Sequence, residues 1–218
     1  SKKGKLMIGK FDNIKLQGMC SAVPEYVEDN MSFANVIGKR RAKKQIKITG
    51  VEERHRSGKH QRTSDLCYAT LPLLEKLQWK REEIKVLLFI TQGPNYNHPS
   101  TAFFLHKRLG LGKDCLVYDL NLGCSSFNVG VHAVSALLQT CETHDKALLL
   151  IGDTAGMIRN PEAPLKPDDI AHDMLFGSAG AAIAIEKVEQ HPLYFMNMSN
   201  GNGYDAIIGY KGRPSQMD

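Results

Sequence analysis

Four short apolar runs stand out from the polar background of the chain, at 84–91, 115–120, 147–152 and 181–185. Each is too short for a helix core. Each is rich in Leu, Ile, Val or Ala with little alternation, the pattern of strands covered on both faces. Residues 14–18 and 193–198 are further strand candidates. Helical spacing fills the gaps between the four runs. Ser64 is placed to cap a helix through Leu66, Ala69, Leu73, Leu74 and Leu77, with Asp65 at its positive end. Ser100 begins a second, through Phe104, Leu105 and Leu109, closed by Gly110. A third follows Cys124 and runs to about Thr140. Strand and helix in alternation predict an α/β domain whose mostly parallel mixed sheet is covered by helices.

The third helix differs from the others. Residues 124–140 carry no charge, and Ser125, Ser126, Gly130, Ala133, Ser135 and Ala136 spread small side chains over several faces. A helix without a polar face is buried all round. One sheet covers one side of it, so the other side calls for a second copy of the chain or for more of the same polypeptide.

Composition narrows the class without naming a function. The 218 residues are 42% hydrophobic, 23% charged and 7% aromatic, which excludes collagen-like, disulfide-framework and disordered chains. No stretch holds the roughly 20 apolar residues of a membrane span, and the basic start at 1–5 leads into no signal-like core, so the expected compartment is cytoplasmic. The five cysteines form no CxxC pair, and the eight histidines show no ligand spacing; no metal site is expected. Charge is uneven. Between residues 39 and 62 there are ten Lys or Arg against Glu52 and Glu53, a segment of +8 in a chain of +5. Such a stripe attracts phosphates or an acidic protein, and its lack of aromatic residues argues against nucleic acid. Gly201-Asn202-Gly203 is not a full dinucleotide fingerprint.

Cys124 lies between the second apolar run and the uncharged helix. A helix N-terminus offers unpaired N–H groups and a positive dipole end, which favour a thiolate. Ligands of parallel α/β sheets gather at the C-terminal ends of the strands. Without further context, Cys124 fits a small buried filler as well as a nucleophile, whereas Cys67, Cys115 and Cys141 fall within predicted helices or strands and fit the filler better.

The segment Asp119-Leu120-Asn121-Leu122-Gly123-Cys124-Ser125-Ser126-Phe127 resembles the active-site segment of β-ketoacyl-acyl carrier protein synthase III, in the thiolase-like superfamily. Four further segments resemble that family in the same order: Ile48-Thr49-Gly50-Val51-Glu52-Glu53-Arg54, Thr63-Ser64-Asp65-Leu66, Pro99-Ser100-Thr101-Ala102 and Phe176-Gly177-Ser178-Ala179-Gly180-Ala181-Ala182. The resemblance runs from about Ile14 to the end of the chain. It implies a thiolase-like fold of two α/β halves, usually in homodimers, of which residues 1–218 are the N-terminal half. It implies an acyltransferase of fatty-acid or related biosynthesis that uses no cofactor beyond its substrates, acyl-CoA and malonyl-acyl carrier protein. It makes Cys124 the catalytic nucleophile and its backbone N–H an oxyanion donor. The family's catalytic histidine and asparagine motifs match nothing here, so this chain alone is expected not to condense. The alternative is a half-length protein that binds acyl chains or partners without condensing them. His98 precedes Pro99 where the family places an aromatic that crosses the dimer, which suggests a dimer contact. The family's CoA-gripping tryptophan and arginine correspond to Lys44 and Ile48, and an aspartate of its glycine-rich turn corresponds to Ser178.

Overall fold

A computed structural model describes residues 7–58, 60–154 and 167–204. The basic start at 1–5, Lys59 of the stripe and the terminal 213–218 lie outside them. In chain order the elements are β1 (Met7–Phe11), β2 (Ile14–Ala22), β3 (Val27–Asp29), α1 (Ala34–Ile37), α2 (Lys39–Thr49) and β4 (Glu53–His55). Then come α3 (Thr63–Tyr68), α4 (Pro72–Lys76), β5 (Ile84–Ile90), α5 (Thr101–Leu109), β6 (Leu116–Leu120) and α6 (Ser126–Leu138). The last are β7 (Lys146–Thr154), α7 (Pro167–Asp173), β8 (Ser178–Lys187) and β9 (Leu193–Asn197).

Five strands form the central sheet in the order β2-β8-β7-β5-β6. β5 runs parallel to both β6 and β7, while β8 is antiparallel to β7 and to β2. The mixed sheet predicted from the apolar runs is therefore present, but its pairings divide evenly between parallel and antiparallel, because the run at 181–185 pairs antiparallel on both sides. Its two faces follow from the two-residue period of a strand. Leu87 and Phe89 of β5, Leu148 and Leu150 of β7, and Ala182 and Ala184 of β8 point into a core closed by α3, α4 and α5. Val86, Leu88 and Ile90, with Leu149 and Ile183, point to the opposite face against Val131, Val134 and Leu138 of α6. With both faces covered, every residue of β5 but Lys85 is buried, which is why the run reads as continuously apolar.

The first predicted helix breaks in two. Pro72 lacks an N–H, and its ring would crowd the carbonyl of Tyr68, so the helix from Thr63 ends at Tyr68 and α4 restarts at Pro72. Ser64 is not the cap. It is buried one residue inside α3, and its hydroxyl accepts from Asn95 Nδ2 at 2.7 Å. Asp65 closes the end instead, accepting from the Arg62 N–H at 3.0 Å. α5 begins after Ser100 and ends at the left-handed Gly110, as the spacing predicts.

α6 departs from the expectation of a helix buried all round. Gly130, Val131, Val134, Ser135 and Leu138 are buried on the sheet, but Asn128 and Ala136 off that stripe are exposed, as is Phe127 in the first turn. The central sheet covers one side; on the other, His132 stacks on Phe195 of β9 and Ala136 stays exposed.

The buried thiol of Cys67 donates to Ile151 O at 3.5 Å, and burial pushes its pKa up to about 12. The folded protein thus holds this proton in a range where the unfolded chain, with a thiol near 9, releases it. This contribution to stability is whole below pH 9 and declines above it, by about 1.4 kcal/mol per pH unit until the folded pKa is reached. Urea unfolding between pH 7.5 and 10.5 checks the slope. A Cys67→Ala chain should be less stable at every pH yet lack that component, and equal slopes in the two chains would reject it.

Candidate active site

Three parallel strands end side by side, and polar groups tie their ends together. Thr91 Oγ1, the Gln92 N–H and the Gly93 N–H, just past β5, all donate to Asp153 Oδ1 of β7 at 2.8, 2.8 and 3.2 Å. One carboxylate oxygen so holds two strand ends in register. Asp119, near the end of β6, does the same for a helix. Its two oxygens accept from the Thr101 and Ala102 N–H groups at 2.6 and 2.7 Å, the cap that the Ser100 side chain does not supply. A carboxylate on a helix N-terminus is a charge-assisted cap.

The Cys124 turn is set on this platform. β6 ends at Leu120, four residues before Cys124, and α6 begins two residues after it. The Ser126 N–H donates to Gly123 O at 2.9 Å, and Val129 N–H to Ser125 O at 3.1 Å opens the helical ladder. A side chain on Gly123 would lie 3.1 Å from Gln92 Nε2, so a glycine there lets the turn sit close against the residue that Asp153 anchors. Cys124 is exposed. By contrast Cys67 and Cys115 are buried and Cys141 half-buried. Burial pushes the Cys115 thiol up to about 12 and raises that of Cys141. Cys115 and Cys141 lie just outside the strand and helix predicted to contain them.

A cavity of about 500 Å³ opens beside the turn, lined among others by Thr91, Tyr96, His98, Asp119 and Asn121. It stops short of Cys124. His98 is exposed at this mouth, with no hydrogen bond to Cys124. Four other histidines bind elsewhere: His55 donates to Pro24 O, His106 to Gly112 O and His191 to Ile14 O, while His132 takes a hydrogen bond from the Asn197 amide. Among the described residues no histidine is paired with Cys124, and no group of three or more His, Cys, Asp or Glu is arranged to hold a metal.

Ser178 stands where the resemblance places an aspartate. It is buried at the start of β8, and its Oγ lies 3.0 Å from Ser57 Oγ and accepts from the Ser57 N–H at 3.3 Å. A small hydroxyl thus joins the glycine-rich turn to the segment after β4. Lys44 and Ile48 are exposed on α2 and, with Ile170 and Met174, border a groove of about 330 Å³. Gly201–Gly203 forms a single 3-10 turn. The roles of Asp119 and Asp153 were not legible as site chemistry, although a charged residue at the end of an apolar parallel strand is a signal that marks both.

A family model described as 3-oxoacyl-[acyl-carrier-protein (ACP)] synthase III matches residues 118–202, the stretch from β6 past β9. A putative 3-oxoacyl-[acyl-carrier-protein] synthase 3 of Campylobacter jejuni is 30% identical over 210 residues, 93% of this chain and 56% of that protein. A β-ketoacyl-[acyl-carrier-protein] synthase III of Staphylococcus epidermidis is 29% identical over 202 residues, 92% of this chain and 57% of that protein. The crystal structure of a 3-oxoacyl-(acyl-carrier protein) synthase from Burkholderia xenovorans LB400 superposes with a TM-score of 0.85 at 29% identity, covering 98% of this chain and 61% of that one. The resemblance and the fold class read from the motifs thus hold, and the chain spans little more than half the length of the relatives it matches.

Proposed function

On the premise of this likeness to 3-oxoacyl-[acyl-carrier-protein] synthases III, in sequence over most of the chain and in fold over nearly all of it, we propose that residues 1–218 form the N-terminal, thiolase-like half of a condensing acyltransferase. Cys124 is its nucleophile. The thiolate attacks the thioester carbonyl of acyl-CoA, the carbon–sulfur bond to CoA breaks, and CoA leaves as its thiol while the acyl group stays on Cys124. Malonyl-acyl carrier protein then loses carbon dioxide, and the carbanion left behind attacks the acyl-cysteine. The products are a 3-oxoacyl-carrier protein and the free thiol.

The observation that carries this reading is the exposed cysteine in the turn before an uncharged thirteen-residue helix, at the C-terminal ends of parallel strands. The N–H groups of that helix end are placed to receive the oxyanion that follows its attack. Further groups are needed to stabilise the enolate, and the resemblance assigns them to a second half. This chain alone therefore does not condense. The first turn of α6, where Phe127 is 42% exposed, and Ala136 on its outer side are the surface that second half would cover. Homodimer formation is part of the same proposal. β6 is an edge strand, and Leu116 on it and Phe103 on neighbouring α5 are 50% and 55% exposed. An edge strand with exposed apolar side chains is normally paired or covered. The proposed setting is the cytoplasm, with acyl-CoA and acyl carrier protein as partners and no further cofactor.

The test is intact-mass and peptide analysis of the protein carrying this chain after incubation with short acyl-CoAs, followed by malonyl-acyl carrier protein. One acyl group on the peptide containing Cys124, discharged as a 3-oxoacyl product, is expected. An acyl-enzyme that never discharges supports the non-condensing alternative. No adduct at Cys124 rejects both.

A further inference from the structure

α2 has two sharply different sides. Ala42, Gln45, Ile46 and Thr49, spaced three and four apart, face inward, with Ala42 fully buried and Ile46 packed on the cluster of Phe33, Ile170 and Met174. Lys39, Arg40, Arg41, Lys43, Lys44 and Lys47 are all exposed, and the helix contains no acidic residue. None of the six forms an ion pair with a described residue. Elsewhere the protein matches its cations more evenly. Arg54 and Arg56 share Glu28, Lys146 meets Glu83 and Arg108 meets Asp65.

The base of this helix is fastened to the end of the sheet where Cys124 lies. Asn30 Nδ2 donates to Val51 O, just past α2, and to Met174 O of the segment entering β8, each at 2.8 Å. Buried Arg54 donates to Asn30 Oδ1 at 2.8 Å and to Phe176 O at 3.4 Å. Ser178, two residues on, pairs in register with Thr154, the last residue of β7. The cationic helix is thus carried at the C-terminal end of the parallel strands, together with the Cys124 turn.

We infer that the outward face of α2 is the docking surface for the acidic acyl carrier protein. The inference rests on the proposed function in taking that protein as the partner; it adds the place of docking. Eleven residues of helix span about 16 Å, so six cations are spread more widely than one pyrophosphate requires and match an extended acidic surface. A membrane surface fits less well, because the face offers no apolar side to insert beyond Ile48. Nucleic acid fits less well because no aromatic residue is there to stack on bases. Unpaired exposed charge acts chiefly on the rate of encounter, and salt screens it.

The experiment measures binding of holo-acyl carrier protein to the protein carrying this chain, by biolayer interferometry across 50–300 mM salt. Three chains are compared: the unaltered one, one with Lys39→Glu, Lys43→Glu and Lys47→Glu, and a control with the same change of charge at exposed Lys76, Lys107 and Lys113. The α2 variant should bind at least about tenfold more weakly, mostly through slower association, and with a flatter salt dependence. The control should bind within about twofold of the unaltered chain. Melting followed by circular dichroism reports whether each variant is folded, and Lys→Gln versions at the same α2 positions repeat the comparison if the reversals unfold the helix. Equal losses in α2 variant and control, or none in either, overturn the inference while leaving the synthase reading standing. Loss of binding to anionic vesicles of phosphatidylglycerol with carrier binding intact overturns it in favour of a membrane. Absence of carrier binding by the unaltered chain, together with absence of acyl transfer to Cys124, removes the reading beneath it.

Discussion

Changing Cys124 to alanine in the protein that carries this chain is expected to lower 3-oxoacyl product formation by at least about a thousandfold and to abolish the acyl adduct. The proposed path runs through a bond to that sulfur, so no neighbouring group replaces it. The structure makes this a clean substitution. Cys124 is exposed, and among the described residues its thiol makes no hydrogen bond, unlike Cys67, which donates to Ile151 O. Exposed substitutions away from caps and networks usually change stability by about 0.5 kcal/mol or less. Activity and stability should therefore separate: urea midpoints match, while adduct and product vanish. Serine at the same position should fail nearly as fully, since a hydroxyl near neutral pH is a far weaker nucleophile without a paired base. Retained transfer in either variant would sink the nucleophile assignment.

The second large effect is on stability. Gly180 of β8 faces α3 so closely that an added Cβ would lie 2.5 Å from Cys67 N, 2.6 Å from Leu66 C and 2.8 Å from Leu66 Cβ. Two of those atoms are backbone within a helix and cannot swing aside. Gly180→Val should accordingly cost about 3 kcal/mol or more, the upper end of overpacking. Gly130 of α6 offers the contrast. Its added Cβ would meet Ile90 Cδ1 at 2.7 Å and the two methyls of Leu149 at 2.9 and 3.0 Å, all ends of side chains that can turn away. Replacing a helical glycine by alanine also regains up to about 1 kcal/mol of helix propensity, so Gly130→Ala should be much milder. Chemical denaturation of both variants decides the matter. A Gly180→Val chain within about 1 kcal/mol of the unaltered protein would show that α3 can lift from β8.

How the fold shows in the sequence depends on which interactions are local. The runs at 84–91, 147–152 and 181–185 read directly as strands because burial on both faces leaves no polar position to blur them. α2 escaped that reading: its inward positions are few and modest, so its charges read as a stripe rather than as one side of a helix. The split at Pro72 was written in the chain, as a proline four residues after Tyr68, but the apolar spacing on either side masked it.

At the candidate site the same division holds. Cys124 stood out by its place between an apolar run and an uncharged helix, a purely local pattern. The sequence by itself therefore determined the alternation of buried strands and helices, the cysteine at a helix mouth and the excess of positive charge at 39–62. Tertiary structure decided the rest: that Asp119 caps α5 across 18 residues of chain, that Asp153 holds the end of β5 from 60 to 62 residues away, and that the side of α6 away from the central sheet is only partly covered, by β9 at His132. Hydrogen bonds of that reach depend on strand order and register, which arise from the packing of whole faces and not from any short stretch of residues.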